Sequence, residues 1–301
     1  MSSPLALFIS PGRSGTQWAA ARLRAGYGGS AEVLHEQIGP EYRPKVTLRT
    51  GRYQELIDAV EPLRCHLEFI RATVERGKPY IEAGWPVFSW IPWFIERYAS
   101  HVRLVHLTRH PVQFAYSLQS HGYHSDTRAD WYVRYAQLDP YDPGILHTEY
   151  RDRWASLTGF EKCLFQWIEL NEYALELRRT YPDVPFLHVR MEDLVGNAGR
   201  LRELGEFLGL PPAPPADETD LRKRVDEFQH RMDRIVDPRR IHDHPAALRL
   251  AAEFGYDVDD VDLRAVRRRY QRPWTERLAR SVRRVARRLT RLYGRAPAPA
   301  H

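Results

Sequence analysis

Short apolar runs alternate with longer amphipathic segments along the chain, and this alternation constrains the fold more than any other feature. The runs have the length and composition of buried strands, and the segments between them are long enough for helical crossovers. The predicted strands are 5–9, 32–35, 79–83, 102–108 and 184–190. The sequence therefore predicts an α/β fold with a central parallel sheet of about five strands flanked by helices.

Amphipathic segments between the strands predict helices at 14–25, 51–76 (interrupted near Pro62), 85–98, 111–121, 157–180 and 201–210. The segment 121–156 breaks this pattern, because it is rich in Tyr, Trp, Asp and Pro without clear periodicity. It is either a substrate-binding or lid insertion or a well-packed surface excursion.

Charge is distributed unevenly along the chain, whose formal net charge is +6. Between Arg264 and Arg295 there are thirteen arginines and one acid, whereas residues 1–263 carry 32 bases and 38 acids. A body with a net charge of −6 is not built like a general nucleic-acid binder, whose folded face carries the cations. The predicted organisation is one domain over 1–263 and an arginine-rich tail over 264–301.

The tail has an apolar stripe after Pro273. Apolar residues alternate at spacings of four and three, as on one face of a helix, at Leu278, Val282, Val285, Leu289 and Leu292. A basic helix of this kind over 274–293 suits peripheral contact with an anionic membrane, an acidic partner, or docking on the protein's own acidic body.

The small number of cysteines and the spacing of the histidines predict the cellular compartment and the metal content. Two cysteines, no apolar run of about 18 residues and no signal-peptide pattern predict a cytoplasmic protein. The pairs His121/His124 and His242/His244 have no evident third ligand, so no metal is expected.

The sequence from Phe8 to Trp18 reads FISPGRSGTQW, an apolar strand that enters a Gly/Ser/Thr turn and then a predicted helix. Such a turn directs backbone N–H groups into one concavity at a helix N-terminus, where the helix dipole also favours an anion. It is not a Walker A loop, because two residues separate Gly12 from Gly15 and Thr16 stands where a lysine would follow. The turn predicts a phosphate-type cradle unlike that of an ordinary nucleotide kinase.

A second anion site is predicted after the strand at 102–108. Arg109 follows this strand at the carboxyl edge, where open α/β sheets bind ligands, and Pro111 suits the first position of the next helix. Ser117 lies eight residues after Arg109, two turns into that helix. The guanidinium and the hydroxyl are expected to share a phosphate, and an ion pair across the sheet edge is the alternative role of Arg109.

These two elements resemble those of the sulfotransferase family that uses 3′-phosphoadenosine-5′-phosphosulfate (PAPS), whose fold is P-loop NTPase-like. In that family a strand–loop–helix with a basic residue before Ser-Gly-Thr binds the 5′-phosphosulfate, and an Arg and a Ser eight residues apart bind the 3′-phosphate. The resemblance implies that the 5′-phosphosulfate is bound by Arg13, Ser14, Gly15, Thr16 and Gln17. It implies that the 3′-phosphate is bound by Arg109 and Ser117. Shorter similarities at 190–194, 206–210 and 248–256 extend the resemblance over about residues 5–257.

The chain departs from the cytosolic members of this family at two positions. Arg13 stands where they usually have lysine, and Gly12 stands where they have proline. Trp18 corresponds to a tryptophan that contacts the adenine, with a core position on the first helix as the alternative. For the basic C-terminal loop that completes the 3′-phosphate site, the candidates are Arg239 and Arg240.

Sulfuryl transfer needs a base for the acceptor proton, and cations such as Arg13 for the charge on the leaving phosphate. Glu36 is the favoured base, because it follows the second predicted strand, as a catalytic Glu does in several family members. His35 is the second candidate, since imidazole titrates near neutral pH, and Glu82 is the third. The alternative for Glu36 is an exposed loop acid without a catalytic role.

The resemblance implies an enzyme that transfers the sulfuryl group from PAPS to a hydroxyl of a small-molecule, carbohydrate or lipid acceptor. The product would be 3′-phosphoadenosine-5′-phosphate (PAP), and no metal would be required. A P-loop-type small-molecule kinase and a non-catalytic, membrane-associated sulfotransferase-like protein are the alternatives. The sequence leaves the acceptor and the oligomeric state open.

Overall fold

Five parallel strands form one sheet at the centre of the protein. A computed structural model describes residues 4–125, 130–212, 218–223, 225, 231–276, 278–279, 282 and 285. The strands are β1 (Leu5–Ile9), β2 (Glu32–Leu34), β3 (Tyr80–Glu82), β4 (Val102–Thr108) and β5 (Phe186–Arg190). Their order across the sheet is β2-β3-β1-β4-β5, so β1 lies in the middle, between β3 and β4.

The predicted α/β fold with a parallel sheet of about five flanked strands is confirmed, and it is consistent with a P-loop-like arrangement. The predicted bounds of β1 and β4 are those of the structure, and the other three strands are shorter than predicted by one or two residues. All five residues of β1 are buried, as expected for a central strand covered on both faces.

Helices connect the strands and cover both faces of the sheet. They are α1 (Thr16–Tyr27), α2 (Pro44–Thr47), α3 (Tyr53–Ala59), α4 (Glu61–Glu75), α5 (Ile91–Tyr98), α6 (Pro111–Ser120), α7 (Asp130–Tyr135), α8 (Gly159–Thr180), α9 (Met191–Leu194), α10 (Ala198–Phe207), α11 (Glu218–Leu221), α12 (Pro245–Glu253) and α13 (Leu263–Tyr270). Short 3₁₀ helices lie at Gly39–Tyr42, Pro86–Trp90, Ala99–His101, Thr148–Ser156 and Pro238–Asp243. No helix in the described ranges is both long and apolar enough to cross a membrane.

Local sequence explains where several helices begin. Val60 is extended between α3 and α4, and Pro62 lies in the first turn of α4, which accounts for the predicted interruption. The start of α8 is fixed by a capping box, in which Thr158 and Glu161 each bond the backbone N–H of the other. Pro111 begins α6, as predicted.

The two faces of β1 enter two hydrophobic clusters, because side chains alternate along a strand. Leu5, Leu7 and Ile9 belong to the larger cluster, which includes the buried face of α8. Ala6 and Phe8 belong to the smaller cluster, with α1 and α10. The sheet is therefore packed between two hydrophobic layers. This packing fixes the positions at which the loops of its carboxyl edge begin.

Two segments outside the regular alternation also pack on this body. In the segment 121–156, Tyr123 and Tyr150 are buried, and the Tyr150 hydroxyl lies 2.7 Å from His244 Nδ1. Within the range predicted as tail, α13 buries Val266 and Tyr270 against the body. Residues 274–276, 278–279, 282 and 285 are helical, and the predicted stripe positions Leu289 and Leu292 lie outside the described residues.

Candidate functional site

A cavity of about 750 Å³ opens at the carboxyl edge of the sheet, where the chain segments that follow β1, β2, β3 and β4 meet. This is the edge at which open α/β sheets bind ligands, and the volume suits a small-molecule or cofactor site. Further wall residues come from the segment 121–156, from α9, from 222–225 and from α13. The favoured base and most of the predicted anion-site residues line this cavity, whereas Ser14 and Ser117 are buried behind its wall.

The loop between β1 and α1 forms a concave turn at one wall of the cavity. Gly12, Arg13 and Gly15 have left-handed φ angles of 80°, 45° and 93°. A side chain at Gly15 would collide with the sulfur of Met191, so this position requires glycine. The loop and the first two residues of α1, Thr16 and Gln17, line the cavity, where a helix N-terminus favours an anion.

Ser14 has a different position from the one predicted. Its side chain is fully buried, and its hydroxyl donates to the carbonyl of Gly12 at 3.0 Å, which stabilises the turn. The hydroxyl of Ser10 supports the same turn by accepting from the Gly12 amide. Gly12, Arg13, Gly15, Thr16 and Gln17 line the cavity, whereas Ser14 acts on the loop from behind.

The second predicted anion site lies against the first. Arg13 Nε donates to Ser117 Oγ at 3.4 Å, and Arg109 Nη1 donates to the carbonyl oxygen of Arg13 at 2.9 Å. Arg109 is positioned by the end of β4, and the carbonyl of Arg109 in turn accepts from the buried indole of Trp167 on α8. The cradle loop thus lies against Arg109 and Ser117, although more than ninety residues separate the loop from these two residues in the chain.

α13 adds a residue that the sequence analysis missed. Arg269 lines the cavity, and the next residue, Tyr270, is almost fully buried beside Arg109. Burial alone would raise the pKa of the Tyr270 phenol, but the guanidinium groups of Arg109 and Arg269 lower it below its ordinary value. Nothing in the sequence distinguished Arg269 from the other arginines of the tail, since only folding brings it to Arg109.

Arg239 and Arg240, the candidates for a C-terminal contribution, do not reach the cavity. Both are exposed on the 3₁₀ helix Pro238–Asp243, and Arg240 lies 3.6 Å from Asp243. Asp237 caps this short helix by accepting from the Arg239 amide. Among the described arginines of α13, Arg269 lines the cavity.

Trp18 lines the cavity while remaining almost wholly buried in the smaller hydrophobic cluster, and its contact with adenine stays a prediction. Its indole N–H donates to the carbonyl of Leu221 at 3.2 Å, and Arg22 lies over its ring. Arg22 also donates to the carbonyl of Lys223. The backbone of 221–223 therefore rests on α1, and Arg222 and Lys223 add positive charge to this wall.

Glu36 and His35 line the cavity immediately after β2. Glu36 has a left-handed φ of 47°, and its carboxylate lies 3.7 Å from His35 Nε2. The same His35 nitrogen lies 3.2 Å from the hydroxyl of Thr16, at the start of α1. Burial lowers the pKa of His35, an effect that exceeds the opposing influence of Glu82, so neutral pH leaves this imidazole uncharged.

Glu82, the third candidate base, is directed into the protein. Its side chain is fully buried, and Oε1 accepts from the amides of Glu36 and Gly84 at 3.0 and 3.1 Å. Oε2 accepts from the Tyr80 hydroxyl, which also contacts His66. Glu82 therefore holds the backbone of Glu36 in its left-handed conformation and does not face the cavity.

Glu192 and Asp193 at the end of β5 have separate structural roles. Glu192 accepts from the His110 amide at 3.0 Å and from the Tyr256 hydroxyl at 3.1 Å, which braces the loop that carries Arg109. Asp193 forms a two-pronged pair with Arg190 at 2.8 Å. The adjacent carboxylates thus act on different neighbours.

Aromatic side chains form the wall next to Glu36. The ring of Trp85 lies against Gly12 and is 6.5 Å from that of Tyr132, whose hydroxyl bonds that of Tyr123. Tyr123 and Tyr132 belong to the segment 121–156, which therefore contributes to the cavity and is not only a surface excursion. We call Arg13, Arg109, Ser117 and Arg269 the basic end, and Glu36, His35, Trp85 and Tyr132 the aromatic end.

The two histidine pairs have separate structural partners. His121 Nδ1 contacts the Ser117 carbonyl at 3.0 Å, and His124 bonds Gln137, while burial lowers the pKa of His124 to about 3. His242 lies 3.1 Å from Asp259, and His244 is buried against Tyr150. Across the described ranges, no three His, Cys, Asp or Glu side chains are grouped as metal ligands.

No family model and no curated protein match the chain. Solved structures to which it is similar include a sulfotransferase domain from the curacin biosynthetic pathway, at 14% identity over 85% of this chain and 98% of that chain, with a TM-score of 0.46. A sulfotransferase domain from the olefin synthase of Synechococcus PCC 7002 has 17% identity over 85% and 97%, with a TM-score of 0.42. A sulfotransferase from Alicyclobacillus acidocaldarius has 13% identity over 89% and 100%, with a TM-score of 0.48. These sequence identities and TM-scores are too low to indicate a function for this chain.

Proposed function

We propose that the protein is a PAPS-dependent sulfotransferase that acts on a hydroxyl group of a small-molecule, carbohydrate or lipid acceptor. One observation carries the proposal: the Ser-Gly-Thr cradle and the Arg109/Ser117 pair lie against each other, joined by Arg109 to Arg13 and by Arg13 to Ser117. A donor with a phosphosulfate at one end and a phosphate at the other needs two anion sites in one cavity. A nucleoside triphosphate has no second, separate phosphate.

The donor fits the residues of this chain at three points. The loop amides, Thr16 and Gln17 would bind the 5′-phosphosulfate at the N-terminus of α1. Arg109 and Ser117, with Arg269 from α13, would bind the 3′-phosphate. Trp18, which lines the cavity and donates to the Leu221 carbonyl, would contact the adenine.

In the proposed reaction the acceptor oxygen forms a bond to sulfur while the bond between sulfur and the bridging phosphate oxygen breaks. Glu36 takes the proton of the acceptor hydroxyl, and PAP leaves with the bond's electron pair on its phosphate. Arg13 and the loop amides stabilise the negative charge that develops on that phosphate. His35 Nε2 lies 3.7 Å from the Glu36 carboxylate, and burial lowers the pKa of this imidazole.

The aromatic end suits an acceptor whose hydroxyl is carried on a ring. Trp85 and Tyr132 offer flat surfaces beside Glu36, and such surfaces bind phenols and sugar rings alike. Among the described lining residues, Arg13 is the cation adjacent to the aromatic end, and its guanidinium would be bound to the donor.

Transfer of labelled sulfate from PAPS to a panel of phenols, sugars and lipids tests the activity, with PAP detected as the second product. Calorimetry with PAP, and separately with ATP and Mg²⁺, tests the donor. We expect PAP to bind and labelled product to form with at least one acceptor class. Tighter binding of ATP with Mg²⁺ than of PAP would favour the kinase, and PAP binding without transfer to any acceptor would favour the non-catalytic alternative.

A further inference from the structure

The helical residues that follow α13 have large apolar side chains that are exposed to solvent. Trp274, Leu278, Val282 and Val285 are 67, 59, 60 and 57% exposed. Their spacings of four, four and three residues put them on one side of a helix. A continuous exposed apolar strip of this kind marks an interaction surface rather than an ordinary protein exterior.

Charge identifies the kind of surface that this strip would meet. Residues 274–295 contain eight arginines and one acid, Glu276, so the partner must be both polyanionic and able to take up apolar side chains. Anionic lipid headgroups over acyl chains satisfy both conditions. A nucleic acid would satisfy the charge alone, and docking on the acidic body would cover side chains that are in fact exposed.

The strip is joined to the cavity by a fixed segment. Tyr270 is buried beside Arg109, and Trp274 follows it by four residues. Between them, the Arg272 amide donates to the carbonyl of Met232 at 2.8 Å, and the Arg272 guanidinium lies 3.4 Å from Asp233. A surface that binds the strip would therefore lie close to the basic end.

We propose that residues 274–295 bind the surface of a membrane that contains anionic lipids, with Trp274, Leu278, Val282 and Val285 in the interface. The arginines supply attraction to the headgroups, and the apolar side chains supply insertion. Residues 1–273 carry 37 bases and 38 acids, so they supply no net attraction to the headgroups and binding depends on the segment that follows. This inference does not rest on the sulfotransferase activity.

Co-sedimentation of the full chain with vesicles tests the proposal. Vesicles of phosphatidylcholine mixed with phosphatidylglycerol should pellet the protein, vesicles of phosphatidylcholine alone should pellet much less, and added salt should weaken the binding. Equal pelleting with both vesicles, or none with either, would overturn the proposal. So would stronger binding to duplex DNA than to the mixed vesicles.

Two sets of variants separate charge from insertion. R283Q/R284Q should lower partitioning onto the mixed vesicles by about 25-fold, roughly fivefold for each arginine lost near an anionic surface. R71Q/R202Q makes the same change in net charge on exposed parts of the body and should have little effect. L278S/V282S/V285S keeps every charge and should lower partitioning by at least about tenfold; an unchanged value would rule out insertion.

The fluorescence of Trp274 can also report how deeply the segment inserts into the bilayer. Brominated lipids in the mixed vesicles should quench its fluorescence, W274F should remove most of that quenching, and W131F should not, although Trp131 is also exposed. Calorimetry with PAP and circular dichroism on each variant check that the body is intact. Identical quenching in W274F and in the unaltered protein would contradict the proposal.

Discussion

The basic end of the cavity is assembled from three segments that lie far apart in the chain, whereas Glu36 at the aromatic end is fixed by one left-handed turn and one buried carboxylate. Arg109 follows β4, Ser117 lies on α6 and Arg269 lies on α13, and buried packing brings these elements together. Glu36 instead depends on a left-handed backbone turn, which Glu82 supports from inside the protein. Substitutions at the basic end should therefore affect donor binding, and substitutions at the aromatic end should affect turnover or folding.

The largest effect is expected for Glu36→Gln, which keeps the size of the side chain and removes the base. Turnover should fall roughly 100- to 10,000-fold, the usual contribution of a general base, while PAP affinity stays unchanged. Sulfate-transfer kinetics and calorimetry on the same preparation measure both. Glu75→Gln, on the exposed face of α4, is the matched control. A near-normal rate would move the role of base to His35, since Glu82 does not face the cavity.

Arg109→Ala should weaken PAP binding by about 100-fold or more. The substitution removes charge-assisted bonds to the 3′-phosphate and also the bond that Arg109 donates to the Arg13 carbonyl, so the cradle loop loses a support. Calorimetry with PAP measures the affinity, and Arg71→Ala on α4 controls for loss of a positive charge. Unchanged affinity in Arg109→Ala would remove Arg109 from the donor site and break the distinction between the two ends.

Glu82→Ala should destabilise the fold by about 3 kcal/mol, because the amides of Glu36 and Gly84 and the Tyr80 hydroxyl lose their buried acceptor. Glu82→Gln keeps one acceptor oxygen and should cost less. Urea unfolding monitored by circular dichroism gives both values. If Glu82→Ala were as stable as the unaltered protein, the left-handed turn at Glu36 would not depend on this carboxyl group.

The sequence was sufficient to predict the sheet and the Gly/Ser/Thr turn after its first strand, because each depends on a short local pattern, whereas the anion-binding roles of this turn and of Arg109 and Ser117 stay predictions. Apolar strands, a Gly/Ser/Thr turn and a spacing of eight residues are visible without any tertiary contact. The inward direction of Ser14 and Glu82 could not be predicted, since alternation within an irregular turn has no fixed period. Arg269 was missed for another reason: its role depends on α13 docking against α6, which no local signal encodes.

Arg269→Ala should have the smallest effect of these substitutions, a loss of about tenfold in PAP affinity, because one cation of several at the basic end is removed. Arg268→Ala, one position earlier on α13, is the matched control, since Arg268 is exposed and lies 3.9 Å from Asp262. Truncation extends the same comparison: removal of 264–301 should weaken PAP binding, whereas removal of 274–301 should leave it unchanged, because only the longer deletion takes away Arg269 and Tyr270. Equal affinities for the two truncated proteins would show that α13 has no part in the basic end.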